Sequence, residues 1–454
     1  MLRNAPKVVR VALVSLLAIG IATVASPAAH ARSRGFVPAI GISPKFRLGG
    51  RPDAGHANRF SCQDTPLGGG ACYSPAQIRR AYSFDSLQAH GIDGRGRTVA
   101  IIDAFTDPYL RADLATFDRT FGLPDPNLTV VTPDGSIPFD ITDENQVGWA
   151  LETSLDVQWV HAIAPQARIL LVQSYDDNDP AIDSAIKYVI DGNRADALSQ
   201  SFGETETCAP RSELVMLQSL YARAAARGMT VTAATGDAGA AVYSCDGNSF
   251  LKGVEIPAVD PNVLAVGGTN LALQPKTDRY SFERAWGSEA FGCVAPDGCS
   301  GGGYSTLVGR PSYQDGTVAG RFRAIPDVSM DAGVDGGLLV HCGACNVFYD
   351  GLAADDPAFQ IIGGTSASTP MWASIAVLAD QLRGDRVGRI NDDVYKLLHS
   401  RSYQLDFHDV TQGNNNQGPI VGYAATPGWD PVTGVGTPVG DNLVVALAQR
   451  NRRD

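Results

Sequence analysis

The stretch ARILLVQSYDDNDPAIDSAIKYVIDGNRADALSQSFG, residues 167–203, predicts a strand, a helix and a second strand in succession. Its first and last parts are short apolar runs of the kind that buried strands show, and its middle part is a helical segment that ends at a glycine. Two neighbouring strands that are joined through a helix run parallel. The stretch therefore indicates a parallel sheet with helical connections.

The same alternation extends to both sides of that stretch. A buried strand is predicted at Thr98–Ile102, another strand at residues 229–237, and helices at residues 110–122, 145–163 and 212–228. The predicted fold class is α/β, with a doubly wound, mostly parallel sheet flanked by helices on both faces. Ligands of such sheets bind outside the carboxyl ends of the strands, so we expect the site there.

The chain is predicted to contain one large domain between shorter end segments. Residues 1–31 have the positive start, apolar centre and small-residue cleavage pattern of a secretory signal peptide. Residues 32–78 are interpreted as an irregular N-terminal arm or a reduced pro-segment, residues 79–446 as the domain, and residues 447–454 as a polar tail. We therefore expect a secreted, extracellular protein with no membrane attachment once the signal is removed.

Charge and cysteine content narrow the class of protein further. The formal net charge of −12 and the sequence pI of about 5.0 argue against a nucleic-acid partner, and we expect a monomer. All eight cysteines follow the signal segment, where an oxidising environment favours disulfides. Proximity along the chain favours the pairs Cys62–Cys72, Cys208–Cys245, Cys293–Cys299 and Cys342–Cys345, although other pairings stay open.

The segment GGTSASTP, residues 363–370, places Ser366 in a small-residue turn before an apolar helical run. The amides and the dipole at a helix N-terminus favour negative charge, which suits a nucleophilic serine, but a serine also needs a base. None of the seven histidines stands in a stretch such as HGTHV, where a subtilisin-type peptidase has its base. A Ser-His-Asp triad assembled from distant residues stays open.

Three acidic residues are candidates to replace a histidine. Glu152 and Asp156 lie four residues apart in a predicted apolar helix, so they share one face and can share a proton if that face is buried. Asp237, in AATGDAGA, follows a predicted strand among small residues that let a ligand approach closely. The ordinary alternatives are a solvated acidic face for the pair and a turn-forming role for Asp237.

Together these segments resemble the sedolisin family of serine-carboxyl peptidases. The family's GTSxxxP motif is matched at residues 364–370, its ExxxD helix at Glu152 and Asp156, and its GDxG turn at Asp237. The likeness runs from about residue 73 to residue 438 and includes IPAVDPNVLAVGGT, SGGGYS, RPSYQ and IPDVSMDA. The resemblance implies a subtilisin-like fold, hydrolysis of polypeptide substrates at acidic pH, and one structural calcium ion.

The resemblance also implies a role for each matched residue. Ser366 is the nucleophile, Glu152 its general base, and Asp156 the partner that orients Glu152. A protonated Asp237 donates a hydrogen bond to the oxyanion of the tetrahedral intermediate. Asp103, at the strand end where a subtilisin has its triad acid, then becomes a supporting polar residue.

A C-terminal segment, DFHDVTQGNNNQG with YAATPGWDPVTGVGTP, resembles the calcium loop of the same family. Matched by position, the oxygen ligands of the calcium ion come from Asp409, Val410, Thr426, Gly428 and Asp430. Thr426 stands where the family usually has a glycine, so the match requires backbone angles there that suit a non-glycine residue.

Two points stay open from the sequence. The family's propeptide is far longer than the arm at residues 32–78, so self-activation of this chain is uncertain from the pattern alone. The alternative function is an inactive secreted homologue that binds peptides or surface partners, and the motifs do not separate an endopeptidase from a tripeptidyl-peptidase.

Overall fold

A computed structural model of the chain describes residues 37–38, 48–53, 58–67, 69–136, 138–287, 293 and 298–450. The predicted signal peptide at residues 1–31 lies outside the described residues. The strands are β1 (Val37–Pro38), β2 (Leu48–Gly50), β3 (Cys72–Tyr73), β4 (Thr98–Ala104), β5 (Asn127–Val131), β6 (Arg168–Ser174), β7 (Ala197–Gln200), β8 (Phe202–Thr205), β9 (Thr230–Ala234), β10 (Ala241–Tyr243), β11 (Phe250–Lys252), β12 (Glu255–Ile256), β13 (Leu264–Leu273), β14 (Tyr280–Ala285), β15 (Gly303–Gly309), β16 (Phe322–Ile325), β17 (Val328–Asp331), β18 (Gly337–Val340), β19 (Phe359–Ile362), β20 (Phe407–His408) and β21 (Thr437–Pro438). The α-helices are α1 (Pro75–Ala81), α2 (Asp85–Ala89), α3 (Leu110–Phe121), α4 (Glu144–Ile163), α5 (Asp179–Asp191), α6 (Arg211–Ala226), α7 (Gly343–Phe348), α8 (Thr365–Arg383), α9 (Asn391–Leu398), α10 (Tyr403–Asp406) and α11 (Gly440–Arg450).

The central sheet has eight strands and is mostly parallel. Its order is β14-β13-β9-β7-β4-β6-β5, and β17 also pairs with β13. All of these pairs are parallel except that of β13 with β14 at one edge. The predicted α/β class with a subtilisin-like, mostly parallel sheet is confirmed.

Helices cover both faces of this sheet, as predicted. Along β4, Val99 and Ile101 belong to a core that they share with α4 and α8, whereas Ala100 and Ile102 belong to a second core with α5 and α6. Successive side chains of a strand point to opposite faces, so a strand buried on both faces is apolar at every position. This explains the uninterrupted apolar run at this strand.

Helix α4 lies inside the protein rather than on its surface. Asp143 caps it by accepting a hydrogen bond from the backbone amide of Asn145 at 3.0 Å, and the buried residues run from Gln146 to Ile163 without a gap. It packs against α8 and against α3 and α7. Polar side chains on such a helix have no solvent face, so each of them needs an internal partner or a function.

The structure differs from the sequence-based expectation at Ser201. The strand expected at residues 197–203 divides there into β7, which stays in the central sheet, and β8, which joins a separate three-stranded sheet between β1 and β12. The physical reason is that the side chain and the carbonyl of Ser201 bond to groups of α4 and α8 instead of continuing the ladder.

The end segments are also more ordered than expected where they are described. Within the arm at residues 32–78, β1 pairs with β8, β2 with β19, and β3 with β18. At the other end, α11 continues to Arg450, and Leu447 is fully buried, so the predicted polar tail begins inside a helix.

All four expected disulfides are formed: Cys62–Cys72, Cys208–Cys245, Cys293–Cys299 and Cys342–Cys345. Within the described ranges, none of the helices combines the length and the apolarity that a bilayer span requires.

Candidate active site

Ser366 lies in the first turn of α8, at the point where the chain enters the helix from β19. Gly364 has a φ of 117°, which disfavours a side chain, and a Cβ on Gly363 would lie 2.5 Å from the carbonyl oxygen of Ala332. The two glycines therefore allow the tight entry that brings Ser366 to the helix N-terminus. Its backbone N–H is among the first-turn amides that have no acceptor within the helix.

Glu152 and Asp156 lie one turn apart on α4, and both are fully buried. Burial is the main cause that raises the pKa of each carboxyl group well above its usual range, and Asp156 adds to the rise at Glu152. Two buried carboxyl groups at this spacing titrate as one unit that retains a proton. The predicted acid pair is therefore present in a form that can take up and release protons as a unit.

Asp103, at the end of β4, is the nearest further acid of this group. Its charge contributes to the raised pKa values of both Glu152 and Asp156, and burial raises its own pKa to about 7. The three acids thus form one electrostatic cluster at the carboxyl end of the sheet. Asp103 therefore acts on the pair through its charge.

The hydroxyl group of Ser366 lies between this cluster and β8. Its Oγ donates to the carbonyl oxygen of Ser201 at 3.3 Å, and its interaction with Glu152 opposes the rise in the pKa of that carboxyl group. The hydroxyl hydrogen turns about the Cβ–Oγ bond, so it can be directed at the carbonyl oxygen or at a neighbouring carboxyl group. The nucleophile and its candidate base are therefore neighbours, as predicted.

Ser201 is the site residue whose role the sequence analysis missed. Its Oγ lies 2.9 and 2.8 Å from the two carboxyl oxygens of Asp156, and its carbonyl oxygen accepts from Ser366. The available signal was its position at a predicted strand end. Ser201 therefore holds the carboxyl group of Asp156 in place.

Asp237 lies after β9 and is bonded to the residue before the nucleophile. Its Oδ1 accepts from the backbone amide of Thr365 at 2.8 Å and from Thr365 Oγ1 at 2.9 Å. Its charge also contributes to the raised pKa of Glu152, so the carboxyl group faces the same space. The structure brings all four predicted catalytic residues together at the carboxyl ends of the central strands.

The histidines of the described chain make their contacts elsewhere. Their partners are Ser86 for His90, Pro124 for His161, Asp113 for His341, Thr317 for His399 and, by ring stacking, Tyr280 for His408. None of these contacts involves Ser366, so the described residues provide no support for a histidine-based triad.

The predicted calcium ligands come together in a loop near β20 and β21. Gly428 N donates to both oxygens of Asp409 at 3.1 Å, and Thr426 N donates to Asp430 Oδ2 at 3.0 Å. Thr433 Oγ1 bridges Asp430 Oδ2 and the carbonyl of Val410. The atoms that these five residues could offer to an ion are carboxylate and backbone carbonyl oxygens, the type that Ca²⁺ prefers. Thr426 is not among the positive-φ residues of the described chain, so its backbone suits a non-glycine residue.

Comparison with known proteins places the chain among peptidases. The profile of the subtilase family, Peptidase S8, matches residues 144–399. Kumamolisin from Bacillus sp. (strain MN-32) is 32% identical over 417 residues, which cover 89% of this chain and 68% of kumamolisin. Sedolisin from Pseudomonas sp. (strain 101) is 29% identical, and human tripeptidyl-peptidase 1 is 25% identical, each across 80% of this chain.

A solved structure extends the comparison to the fold. Pseudomonas sedolisin, a serine-carboxyl proteinase complexed with two molecules of pseudo-iodotyrostatin, superposes with a TM-score of 0.71 at 26% identity and covers 84% of this chain and 98% of the solved chain. The present chain spans less than two thirds of sedolisin and of tripeptidyl-peptidase 1, at 59% and 62% of their lengths.

Proposed function

Because the chain belongs to the sedolisin family of serine-carboxyl peptidases, we propose that it is a secreted enzyme that hydrolyses peptide bonds at acidic pH through Ser366. The observation that carries this proposal is the convergence of Ser366, Glu152, Asp156 and Asp237 at one end of the sheet. Polypeptides are the proposed substrates, and either an endopeptidase or a tripeptidyl-peptidase is compatible with this arrangement.

In the proposed reaction, Ser366 Oγ attacks the carbonyl carbon of the scissile bond and its proton passes to Glu152. Asp156 is coupled to Glu152, so the two carboxyl groups hold the proton as a pair, and Ser201 keeps Asp156 in position. Glu152 then returns the proton to the leaving amine as the C–N bond breaks. Water repeats the sequence on the acyl-enzyme and regenerates the free serine.

The negative charge of the tetrahedral intermediate is stabilised by Asp237 and by the backbone N–H of Ser366. A hydrogen-bond donor of this kind contributes about 3–4 kcal/mol to the stability of a transition state. Asp237 donates only while it carries its proton, and the acid pair must be able to lose one. We therefore expect an activity optimum at or below about pH 5.

A structural calcium ion is proposed for the C-terminal loop, held by Asp409, Val410, Thr426, Gly428 and Asp430. The support is the all-oxygen ligand set and the ordinary backbone angle at Thr426. When bound, the ion would neutralise the two carboxylates and hold the two halves of the loop together.

The N-terminal arm is proposed to act as a short pro-segment. β8 begins directly after Ser201, and an extended peptide that adds to this edge would lie where β1 now pairs with β8. β1 also lies against α4, and Ser366 is fully buried. A substrate therefore reaches the nucleophile only after the arm has moved or has been removed.

The proposal is tested by digestion of casein at pH 3–5 with the wild type, Ser366→Ala and Glu152→Gln. We expect Ser366→Ala to be inert and Glu152→Gln to lose about 10²–10⁴ in kcat/KM, the usual contribution of a general base. Glu144→Gln is the matched control, since it makes the same change at an exposed position of α4.

Two results would contradict the proposed mechanism. Equal inertness of the wild type and Ser366→Ala would favour a binding protein that has lost catalysis. Full activity of Glu152→Gln, or a profile that peaks near pH 8, would favour a different base.

A further inference from the structure

Three acidic side chains meet behind β8, away from the loop described above. They are Asp179, the first residue of α5; Glu204, in the middle of β8; and Glu213, in the first turn of α6. Each contributes one carboxyl oxygen, and these three oxygens all lie within 4.8 Å of one another. All three residues are buried, with 8–9% of their surface exposed.

These oxygens lack the hydrogen bonds that buried carboxyl groups normally receive. Among the described residues, Asp179 Oδ1, Glu204 Oε1 and Glu213 Oε1 are buried and have no hydrogen-bond partner outside the cluster. A buried polar atom without a partner is costly, and native proteins usually satisfy it with protein groups, water or an ion. Each of the three residues thus has a buried carboxyl oxygen without a hydrogen-bond partner, and the three carboxyl groups lie close together.

The charged groups that act most strongly on this cluster are themselves carboxyl groups. The charged groups that act most strongly on Glu204 are Asp179, Glu213, Asp183 and Glu255, which are all acidic. Elsewhere the chain pairs a buried carboxylate with a cation, as in the ion pair of Arg323 with Asp327.

Helix dipoles account for only part of this arrangement. Acidic residues are favoured in the first turn of a helix, which explains Asp179 on α5 and Glu213 on α6 taken singly. Glu204 lies on a strand, where no dipole supports its charge. Convergence of the three oxygens therefore needs another cause.

We propose that Asp179, Glu204 and Glu213 bind a second divalent cation, Ca²⁺, at a site separate from the C-terminal loop. Ca²⁺ holds its oxygen ligands at about 2.3–2.6 Å, so ligands on opposite sides of the ion are separated by up to about 5 Å. Three carboxyl oxygens within 4.8 Å of one another are compatible with this size. Mg²⁺ keeps several waters and is usually bound through only one or two carboxylates, so a buried set of three carboxyl groups favours Ca²⁺.

Asp183 lies one turn further along α5 and completes the proposed site. Its Oδ1 is likewise buried without a hydrogen-bond partner, and its charge acts on both Glu204 and Glu213. Ca²⁺ usually has six to eight oxygen ligands, so bidentate carboxylates or water supply the rest. The bound ion joins β8, and with it the segment that follows Ser201, to the N-termini of α5 and α6.

The test measures Ca²⁺ binding directly by titration calorimetry at pH 7.0, on full-length protein stripped with a chelator. The variants are Glu213→Gln and Asp179→Asn for the proposed site and Asp409→Asn for the loop. Each keeps the side-chain volume and removes one charge. We expect two ions per wild-type chain, one per chain in each single variant, and none in Glu213→Gln combined with Asp409→Asn.

A thermal-unfolding measurement provides an independent readout. Added CaCl₂ should raise the Tm of Asp409→Asn, because the second site is intact, and should leave the Tm of the double variant unchanged. If the C-terminal loop does not bind calcium, Asp409→Asn will bind as many ions as the wild type. That result would leave the proposed site at Asp179, Glu204 and Glu213 unaffected.

Three outcomes would overturn the inference. Unchanged Ca²⁺ stoichiometry in both Glu213→Gln and Asp179→Asn would mean that the cluster only shares protons. Binding of Mg²⁺ in preference to Ca²⁺ would contradict the assignment of the site to Ca²⁺. If Glu213→Gln and Asp179→Asn instead bind calcium normally and lose only the cleavage of substrates with lysine or arginine, the cluster binds a cationic side chain of the substrate.

Discussion

Asp237 is held by its neighbour Thr365, whose backbone amide and hydroxyl group both donate to its Oδ1. These two contacts fix the orientation of the carboxyl group relative to Ser366, which directly follows Thr365 in α8. An amide side chain can accept the same two hydrogen bonds through its oxygen and also has an NH₂ group that donates at every pH. The position thus permits a test that separates the geometry of the oxyanion donor from its protonation.

We expect Asp237→Asn to retain measurable activity and to extend the pH profile toward neutrality. The reason is that an asparagine remains a donor at a pH at which an aspartate has lost its proton. Asp237→Ala, which removes the donor, should lose about 10²–10³ in kcat. The measurement is kcat/KM between pH 3 and pH 8 for both variants.

Unchanged folding of both variants, checked by thermal unfolding, is the control for this comparison. If Asp237→Asn is as inactive as Asp237→Ala, or if its alkaline limb coincides with that of the wild type, Asp237 is not the donor that limits activity.

At the scale of elements, β8 connects three features of the protein. Glu204 of the proposed second calcium site lies on it, Ser201 directly precedes it, and β1 of the N-terminal arm pairs with it. β1 pairs with one of its edges and β12 with the other, and the strand starts directly after Ser201. Within the described residues, its pairing with β1 consists of Val37 and Pro38. A two-residue pairing is weak and can be displaced by a longer peptide.

Removal of residues 32–47 is expected to increase the initial rate of casein cleavage and to abolish any lag. The physical reason is that the edge of β8 then becomes available to an extended substrate. Progress curves of the full-length and the shortened chain at pH 4 provide the measurement, and the shortened chain with Ser366→Ala shows that the rate comes from this site. A shortened chain that is equally or less active would contradict a pro-segment role.

The C-terminal loop makes a prediction about stability. We expect Asp409→Asn to lower the Tm in calcium-containing buffer by roughly 3–5 °C, since a ligand at 100 times its Kd contributes about 2.7 kcal/mol. The difference should disappear in excess chelator. Asp134→Asn, the same change in an exposed turn, is the control. A Tm of Asp409→Asn that equals the wild type in calcium would exclude this ligand.

At the scale of the whole molecule, the protein is built with many buried carboxyl groups. Burial raises the pKa of Asp103 and of Asp380 to about 7, and burial together with Asp237 raises the pKa of Glu255 to about 8. In the unfolded chain these groups lose their protons near pH 4. The folded state therefore binds more protons than the unfolded state between about pH 4 and about pH 8.

The sign of the effect follows from this difference in proton binding. Stability is fully present below about pH 4 and decreases as the pH rises through the folded-state pKa values near 7 and 8. We expect the Tm of chelator-treated protein to be highest near pH 4 and to fall steadily up to pH 8. Asp380→Asn should make this fall smaller, whereas Asp385→Asn, at an exposed position nearby, should not.

Thermal unfolding in a buffer series from pH 3 to pH 8 checks this prediction. A Tm that is constant or that increases with pH would show that the buried carboxyl groups do not retain their protons in the folded protein. Stability and the proposed activity should therefore both be favoured at acidic pH, because each depends on carboxyl groups that carry protons, although on different ones.

What the sequence determined by itself is local. The apolar runs and glycine stops predicted the strands and helices, because burial on both faces of a sheet requires apolar residues at every strand position. The spacing of Glu152 and Asp156 predicted a shared face, since residues four apart in a helix are neighbours whatever surrounds them. The order of the motifs predicted the family.

What only the tertiary structure decided is how distant segments meet. The expected strand divides at Ser201, which forms hydrogen bonds with Asp156 and Ser366 on two different helices. The cluster of Asp179, Glu204 and Glu213 comes from two helices and a strand, and no single segment contains it. Such contacts depend on side-chain burial across the fold, which local periodicity does not encode.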